Sequence, residues 1–77
     1  MNNYTRKQVA EHNKEKDAWI IINGNVYNMT KFLLIHPGGE KVVLDLLGDD
    51  ASEDFHMNHP KENLFIIEKY KIGTISE

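Results

Sequence analysis

The chain has 77 residues, of which 40% are hydrophobic and 27% charged, and its formal net charge is −3. This length and composition are typical of one small globular domain, residues 1–77, and they exclude a disordered chain. Cysteine is absent, which excludes disulfides, thiolate metal sites, iron–sulfur clusters and cysteine nucleophiles. Because so short a chain builds only a marginal core, a cofactor, a metal or a partner is expected to add stability.

Hydropathy along the chain gives no sign of membrane insertion or secretion. No apolar run approaches the roughly 20 residues that a membrane-spanning helix needs. The first seven residues, MNNYTRK, are polar and lack the apolar core of a signal peptide. We therefore expect a soluble, cytoplasmic chain with no membrane span, either a free protein or a module excised from a larger or membrane-anchored one. We also expect it to be a monomer.

Charge is distributed unevenly along the sequence. Residues 37–62 contain seven acidic residues and only two lysines, whereas residues 1–36 carry more basic than acidic residues. This acidic central block argues against nucleic acid as a partner, because nucleic-acid-binding proteins present clustered Lys and Arg. It is explained equally well by a solvated helical surface or by a docking face for a basic partner.

Short helices and strands follow one another along the predicted chain. In order, they are a helix over 6–12, a turn over 13–17, strands over 18–23 and 26–29, helices over 31–35 and 40–47, a helix ending near 55, a helix over 61–67, and a strand over 70–75. Val9 and Ala10 are expected to face inward from the first helix. Together these elements predict an α+β domain.

Capping residues and turn glycines set the predicted boundaries. Thr5 and Thr30 are good helix N-caps, and either Asp50 or Ser52 can cap the helix that ends near residue 55. Gly24-Asn25 is the glycine-bearing pair expected at the turn of a hairpin. Gly48 is expected to end the helix over 40–47.

Histidine is enriched, with four residues in the chain, and imidazole is a common ligand of transition metals and haem iron. His36 precedes Pro37-Gly38-Gly39, a tight turn that lets a bulky group approach the backbone, although a surface histidine beside a turn explains the pattern too. His56 and His59 have the spacing of a zinc pair, but further ligands are lacking. Met57 is another candidate iron ligand, although methionine is more often a core residue.

Sequence patterns of common enzyme classes are missing. The chain contains no phosphate-binding loop and no nucleophile elbow. Its carboxylates lack the apolar surroundings that would prepare a pair for acid–base catalysis. The sequence therefore predicts a protein that is not an enzyme.

The segment from Phe32 to Gly39, FLLIHPGG, resembles the F-x-x-x-H-P-G-G haem motif of the cytochrome b5 family. Gly48-x-Asp50-Ala51-Ser52-x-x-Phe55 resembles the second block of that family. The similarity extends over residues 4–74 and includes Trp19, the segment 24–30 and Ile72-Gly73. It implies a cytochrome b5-like α+β fold, in which a small mixed sheet and two helix pairs form a haem cleft that binds one haem b per chain.

By this resemblance, His36 is one axial iron ligand and a histidine shortly after Phe55 is the other. Family spacing favours His59 over His56. Helix geometry agrees, because a residue four positions after Phe55 returns to the same face whereas its immediate neighbour points about 100° away. Pro60 replaces a serine that binds a haem propionate in many relatives, and the loop before His59 is one residue shorter, so propionate anchoring is expected to differ.

Apolar side chains are expected to contact the porphyrin. The same side chains can also pack in the protein core. The predicted cofactor-binding residues beside the two histidines are Met29, Phe32, Val42, Val43, Leu46 and Phe55. Ile22 and either Leu64 or Ile67 are expected deeper in the core. Trp19 is expected in the core or at the base of the sheet rather than in electron transfer.

Iron with an imidazole on both axial faces has no open coordination position, which favours one-electron transfer over chemistry at the metal. The resemblance implies a flavin reductase as electron donor and a desaturase, a hydroxylase or another haem protein as acceptor. The acidic block is expected to rim the exposed haem edge. The alternatives are a non-redox haem- or lipid-binding module of the same fold and, less well supported, a zinc protein.

Overall fold

A computed structural model describes residues 2–35, 44–53 and 67–76 of the chain. The strands are β1 (Asn2–Tyr4), β2 (Asn13–Lys14), β3 (Asp17–Ile22), β4 (Asn25–Asn28) and β5 (Lys71–Ile75). The helices are α1 (Arg6–Ala10), α2 (Thr30–Ile35) and a 3₁₀ helix, Glu68–Tyr70. Residues 44–45 and 52–53 are also helical. Most of the helices predicted after residue 39 lie outside the described residues.

The strands form one mixed sheet with the order β1-β5-β4-β3-β2. β1 pairs in parallel with β5, and all other pairings are antiparallel. This arrangement confirms the predicted α+β class and the small mixed sheet. The short outer strands β1 and β2 were not predicted, because their residues are mostly polar and only the neighbouring strands make them extended.

The β3–β4 hairpin turns at Asn23-Gly24, one residue earlier than predicted. Asn23 has φ 54° and Gly24 has φ 77°. A tight two-residue hairpin turn of this type needs positive φ at both central positions, and asparagine followed by glycine tolerates it best. The strands on either side are therefore shifted by one residue from the predicted ranges.

Helix α1 begins with the predicted cap. The Thr5 hydroxyl accepts the Gln8 N–H at 3.1 Å, and the Gln8 side chain accepts the Thr5 N–H at 2.8 Å, which completes a capping box. Val9 is fully buried, as predicted, but Ala10 is exposed. The inward orientation of Ala10 is wrong because a residue next to Val9 on a helix points about 100° away from it. The helix also ends at Ala10 rather than at residue 12.

Helix α2 is capped by Asn28 and not by Thr30 as predicted. Thr30 is the first helical residue, and its N–H donates to Asn28 Oδ1 at 3.1 Å. The Thr30 hydroxyl donates to the same oxygen at 2.8 Å and accepts the Ala18 N–H at 3.0 Å. Thr30 therefore ties the start of α2 to β3 instead of capping the helix.

The two faces of the sheet bury separate apolar clusters, because side chains alternate along a strand. The α2-side cluster takes every second residue of β3, and its buried members are Ala18, Ile20, Ile22, Tyr27, Met29, Phe32, Leu33, Ala51 and Ile67. The α1-side cluster takes the intervening residues with Val9, and its members are Val9, Ile21, Val26 and the partly buried Tyr4, Trp19, Ile72 and Ile75. Burial of Ile22 and Ile67 and the place of Trp19 at the sheet are as predicted.

Residues 48–51 form hydrogen bonds along the edge of β3 beyond β2. The Gly48 N–H donates to the Trp19 carbonyl at 2.6 Å, Ile21 N–H to the Asp49 carbonyl at 3.0 Å, and Ala51 N–H to the Ile21 carbonyl at 2.7 Å. Gly48 follows the helical residues 44–45 with φ 79°, which agrees with its predicted role at a helix end.

Of the two predicted caps, Asp50 and Ser52, it is Asp50 that caps the next helical segment, through its carboxylate. Asp50 Oδ1 accepts the Ser52 N–H at 2.9 Å, and Oδ2 accepts from the Arg6 guanidinium at 3.0 Å. Partial burial alone would raise the pKa of Asp50, but the hydrogen bonds from Ser52 and the contact with Arg6 outweigh it and lower that pKa.

Membrane insertion finds no support in the part of the chain that the structure describes, since no helix there is both long and apolar enough to cross a bilayer. The cytoplasmic location stays a prediction, as does the assignment of residues 1–77 to a single domain.

Replacing Gly48 with alanine is expected to destabilise the domain more than the same change at Gly24. Both residues have positive φ, at which a Cβ costs about 1–2 kcal/mol. A Cβ on Gly48 would also lie 2.8 Å from Asn13 Cβ, whereas one on Gly24 meets no atom within 4 Å. Urea denaturation should show a lower free energy of unfolding for Gly48→Ala than for Gly24→Ala. Equal losses would contradict the close packing of Gly48 on Asn13.

Asp50→Asn is expected to lower stability at neutral pH but not in acid. The variant keeps an oxygen for the Ser52 N–H and removes the charge that contacts Arg6. Because the folded pKa of Asp50 is lowered, its ionised form stabilises the fold above the unfolded pKa of about 3.9, and this contribution disappears as pH falls through the folded pKa. We expect a difference of less than about 1 kcal/mol at pH 7, as for other solvent-exposed ion pairs.

Urea denaturation of the wild-type domain and the variant between about pH 7 and pH 3 measures this difference. Asp45→Asn is the matched control, because it changes an exposed carboxylate of the same segment, and it should leave the free energy of unfolding at pH 7 nearly unchanged. A deficit of Asp50→Asn that stays constant down to the lowest pH would contradict the role of the charge.

Candidate functional site

The candidate site lies on the α2 side of the sheet, where three of the predicted cofactor-binding residues are described. Met29 is fully buried and Phe32 is almost so, both within the α2-side cluster. Leu46 is half-buried and packs against the same cluster. The fold thus brings together residues from the end of β4, from α2 and from the segment before Gly48.

Five of the predicted site residues lie outside the described residues: His36, Val42, Val43, Phe55 and His59. The alternative ligands His56 and Met57 lie outside them as well. Iron ligation by His36 and His59 and the porphyrin contacts of the apolar residues therefore stay predictions.

Helix α2 presents two different surfaces as it approaches His36 in the sequence. Phe32 and Leu33 point into the α2-side cluster, whereas Leu34 is 70% and Ile35 is 65% exposed. Phe32 also meets the ring of Tyr70 edge-on, with the ring centroids 6.1 Å apart. The residues that precede His36 are thus anchored on one side by aromatic and aliphatic packing and leave large apolar side chains on the other.

His12 is the one histidine that the structure describes, and it lies on the other side of the sheet. Its ring stacks on Trp19 with the centroids 3.6 Å apart and the planes at 8°. Its Nδ1 is 2.7 Å from Asp17 Oδ1. Since Trp19 packs in the α1-side cluster, His12 is not a ligand for a group bound on the α2 side, and three histidines are left as candidates.

The described part of the α2 side offers apolar contacts of the kind that haem needs. Among the described residues, no group of three or more His, Asp or Glu side chains is placed to hold a metal. Apart from Tyr27, the buried side chains among them are all apolar. Haem brings four nitrogen ligands of its own and presents a broad apolar surface, so it needs only axial ligands and apolar contacts from a protein. The residues present fit that group.

The described carboxylates of the acidic block, residues 37–62, differ in what they contact. Asp45 and Glu53 are exposed. Asp49 is exposed too, yet its Oδ1 accepts the Asp50 N–H at 2.7 Å. Asp50 is occupied by Arg6 and Ser52. Among the described residues of the block, Asp49 and Asp50 therefore bond within the fold, whereas Asp45 and Glu53 are exposed.

Tyr27 adds a buried hydroxyl to the α2 side without adding charge. Burial is the main cause of its raised pKa, Glu68 raises that pKa further, and a hydrogen bond with Asn25 lowers it in part. The phenol is therefore neutral at physiological pH, and the α2-side cluster keeps its apolar character.

Sequence reasoning missed three residues as members of this site. Leu44 and Leu47 pack on the α2-side cluster beside Leu46, and Tyr70, at the end of the 3₁₀ helix, contacts Phe32 edge-on. Leu44 and Leu47 have the spacing of one apolar face in the predicted helix over 40–47, and that spacing was the available signal. Tyr70 carried no such signal, because its contact with Phe32 joins distant parts of the chain.

Known proteins resemble this chain in sequence. Residues 5–76 match the family described as the Cytochrome b5-like Heme/Steroid binding domain. The chain is 44% identical over 75 residues to a cytochrome b5 of Drosophila melanogaster, a match that covers 96% of this chain and 56% of that protein. It is also 44% identical over 75 residues to acyl-lipid (8-3)-desaturase B of Dictyostelium discoideum, covering 95% of this chain and 16% of that protein.

A solved structure agrees with these sequence matches. The cytochrome b5 of Ostreococcus tauri virus 2 superposes with a TM-score of 0.80 and 39% identity, covering 95% of each chain. The chain spans about half the length of the Drosophila cytochrome b5 that it matches. Sequence and fold agree over nearly all of this chain, which therefore belongs to the cytochrome b5-like heme/steroid binding domain family.

Proposed function

We propose that this chain is a one-electron carrier that binds one haem b per chain, with His36 and His59 as axial iron ligands. The observation that carries the proposal is the family match over residues 5–76, which includes both histidines. The apolar α2 side of the sheet supports it, because Met29, Phe32 and Leu46 gather there next to the segment that leads to His36.

When bound, haem b supplies reversible one-electron exchange between ferric and ferrous iron. The chain's own part is to hold that group and to set its surroundings. Imidazoles of His36 and His59 on both axial faces would leave no open coordination position for a substrate, so we propose a carrier rather than an enzyme. Val42, Val43 and Phe55 would join the described apolar residues in excluding water.

Electron exchange requires partners, and we propose a flavin reductase as donor and a desaturase, a hydroxylase or another haem protein as acceptor. The desaturase of Dictyostelium discoideum supports the acceptor class, because a region similar to this chain forms part of that protein. The exposed Asp45 and Glu53 would attract basic residues of a partner and raise the rate of encounter.

A non-redox module that binds haem or a lipidic ligand is the second candidate, and the family description itself includes steroid binding. The two functions differ in what they require of the histidines. A lipid or a steroid needs an apolar surface and no imidazole pair, whereas an electron carrier of this kind depends on both.

Single histidine replacements test the proposed ligands. We expect His36→Ala and His59→Ala each to abolish the six-coordinate low-spin visible spectrum of the haem-loaded protein, because each removes one axial imidazole. His56→Ala is the matched control, three residues from His59, and should leave the spectrum unchanged. Loss of the low-spin spectrum in His56→Ala would overturn the choice of His59. A wild-type chain that takes up no haem would overturn the function.

Charge replacement tests the proposed docking residues. With a basic haem protein such as cytochrome c as acceptor, Asp45→Asn with Glu53→Gln is expected to slow bimolecular electron transfer several-fold at about 10 mM salt, because these charges act on encounter. The difference should shrink toward about 150 mM salt, where the Debye length falls to about 8 Å.

Glu11→Gln with Glu15→Gln is the control, since both residues are exposed outside the acidic block. Stopped-flow measurement of the second-order rate distinguishes the pairs. Identical rates for both double variants at low salt would mean that the acidic block is only a solvated surface.

A further inference from the structure

The hydroxyl of Ser52 connects two parts of the chain that lie far apart in sequence. Its oxygen accepts the N–H of Asn23, 29 positions earlier, at 2.7 Å. The backbone N–H of Ser52 donates to Asp50 Oδ1 at 2.9 Å. Ser52 thus joins the turn of the β3–β4 hairpin to the residue that caps the helical segment beginning at Ser52.

Asp50 extends this connection to helix α1. Its carboxylate accepts the Ser52 N–H at 2.9 Å and bonds to the Arg6 guanidinium, 44 positions away, at 3.0 Å. A continuous set of polar contacts therefore runs from Asn23 through Ser52 and Asp50 to Arg6. It holds the helix start against both the hairpin and α1.

Backbone bonds already fix the residues just before Ser52, whatever their side chains. Ile21 and Asp50 form a parallel bridge, and the fully buried Ala51 donates its N–H to the Ile21 carbonyl at 2.7 Å. Among the described residues 44–53, Ser52 is the last that hydrogen-bonds to the hairpin. Residues 48–51 are thus bonded to β3 through their backbone, whereas Ser52 is bonded to the hairpin through its side-chain hydroxyl.

We propose that Ser52 is a positioning residue of the haem site, an inference that rests on the proposed function. Its hydroxyl fixes the end of the described segment 44–53 against the hairpin, and Phe55 and His59 follow that segment in the sequence. Because a ligand seven positions later depends on that starting point, loss of the hydroxyl weakens the hold on the cofactor without removing any group that contacts it.

Haem release from three variants tests this role. The measurement is the rate of haem transfer from the ferric protein to excess apomyoglobin at pH 7. Ser52→Ala should release haem about three- to tenfold faster, the range that corresponds to the net free energy of one hydrogen bond. Ser52→Thr keeps the hydroxyl and should stay within about twofold of wild type. Ser76→Ala, the matched control, removes the other serine, whose hydroxyl lies 3.4 Å from the Tyr4 carbonyl, and should not change the rate.

Two further readouts separate positioning from a purely local bond. Amide exchange at Asn23 should accelerate in Ser52→Ala, which reports loss of the hydrogen bond itself. The low-spin signal in electron paramagnetic resonance should persist but shift, because both ligands stay while their surroundings change. Faster exchange at Asn23 with an unchanged signal and an unchanged rate of haem release would overturn the positioning role.

The remaining outcomes are also decisive. If Ser52→Thr releases haem as fast as Ser52→Ala, the hydroxyl is not the operative group and the inference fails. If Ser52→Ala does not fold, Ser52→Cys replaces it, because its side chain has a similar shape and a much weaker hydrogen-bonding group. The increase in the rate of haem release expected for Ser52→Ala is then expected for Ser52→Cys. A wild-type chain without haem uptake overturns the proposed function and this inference together, whereas normal uptake with unaltered release overturns only this inference.

Discussion

Strand β3 is the element on which the rest of the structure depends, because both of its edges and both of its faces are occupied. One edge pairs with β4 and the other with β2 and then with residues 48–51. Its alternating side chains contribute to the α2-side cluster through Ile20 and Ile22 and to the α1-side cluster through Ile21. A shift of β3 by one residue would exchange the two sets of side chains, so the Asn23-Gly24 turn that fixes its register also fixes the position of α1, of α2 and of the segment around Asp50.

The two sides of the sheet differ in the contacts that they make. The α1 side carries the polar and aromatic contacts of His12, Trp19 and Tyr4, which stabilise the sheet. The α2 side is almost purely apolar, and the segments that lead to and from the proposed ligands begin there. If haem binds as proposed, a fixed sheet on one side of it would limit how far its surroundings rearrange when the charge of the iron changes, which would favour the proposed electron exchange. The chain's relatives include a cytochrome b5 and a desaturase, so a region similar to this chain occurs in proteins of different kinds.

Elements with local signals were predictable from the sequence, and elements made by distant contacts were not. The Thr5 capping box, the buried Val9 and the hairpin follow from nearby residues. The family motifs around His36 and Phe55 supported the fold, which the relatives confirm.

The polar strand β1 depends on β5, at the other end of the chain. Thr30 was mistaken for a cap because its hydrogen bond with the Ala18 N–H is formed only in the folded hairpin. The sequence allowed either Asp50 or Ser52 as a cap, and only the positions of Arg6 and Asn23 decide between them.

We propose above all that the α2 side of the sheet helps to hold a single haem, with His36 and His59 as its iron ligands. Titration of the cofactor-free protein with haemin, followed by visible absorption and electron paramagnetic resonance, tests it most directly. The account predicts saturation at one haem per chain and a ferric low-spin signal typical of two imidazole ligands. Failure to bind haemin, or a high-spin signal from iron with an open coordination position, would contradict it.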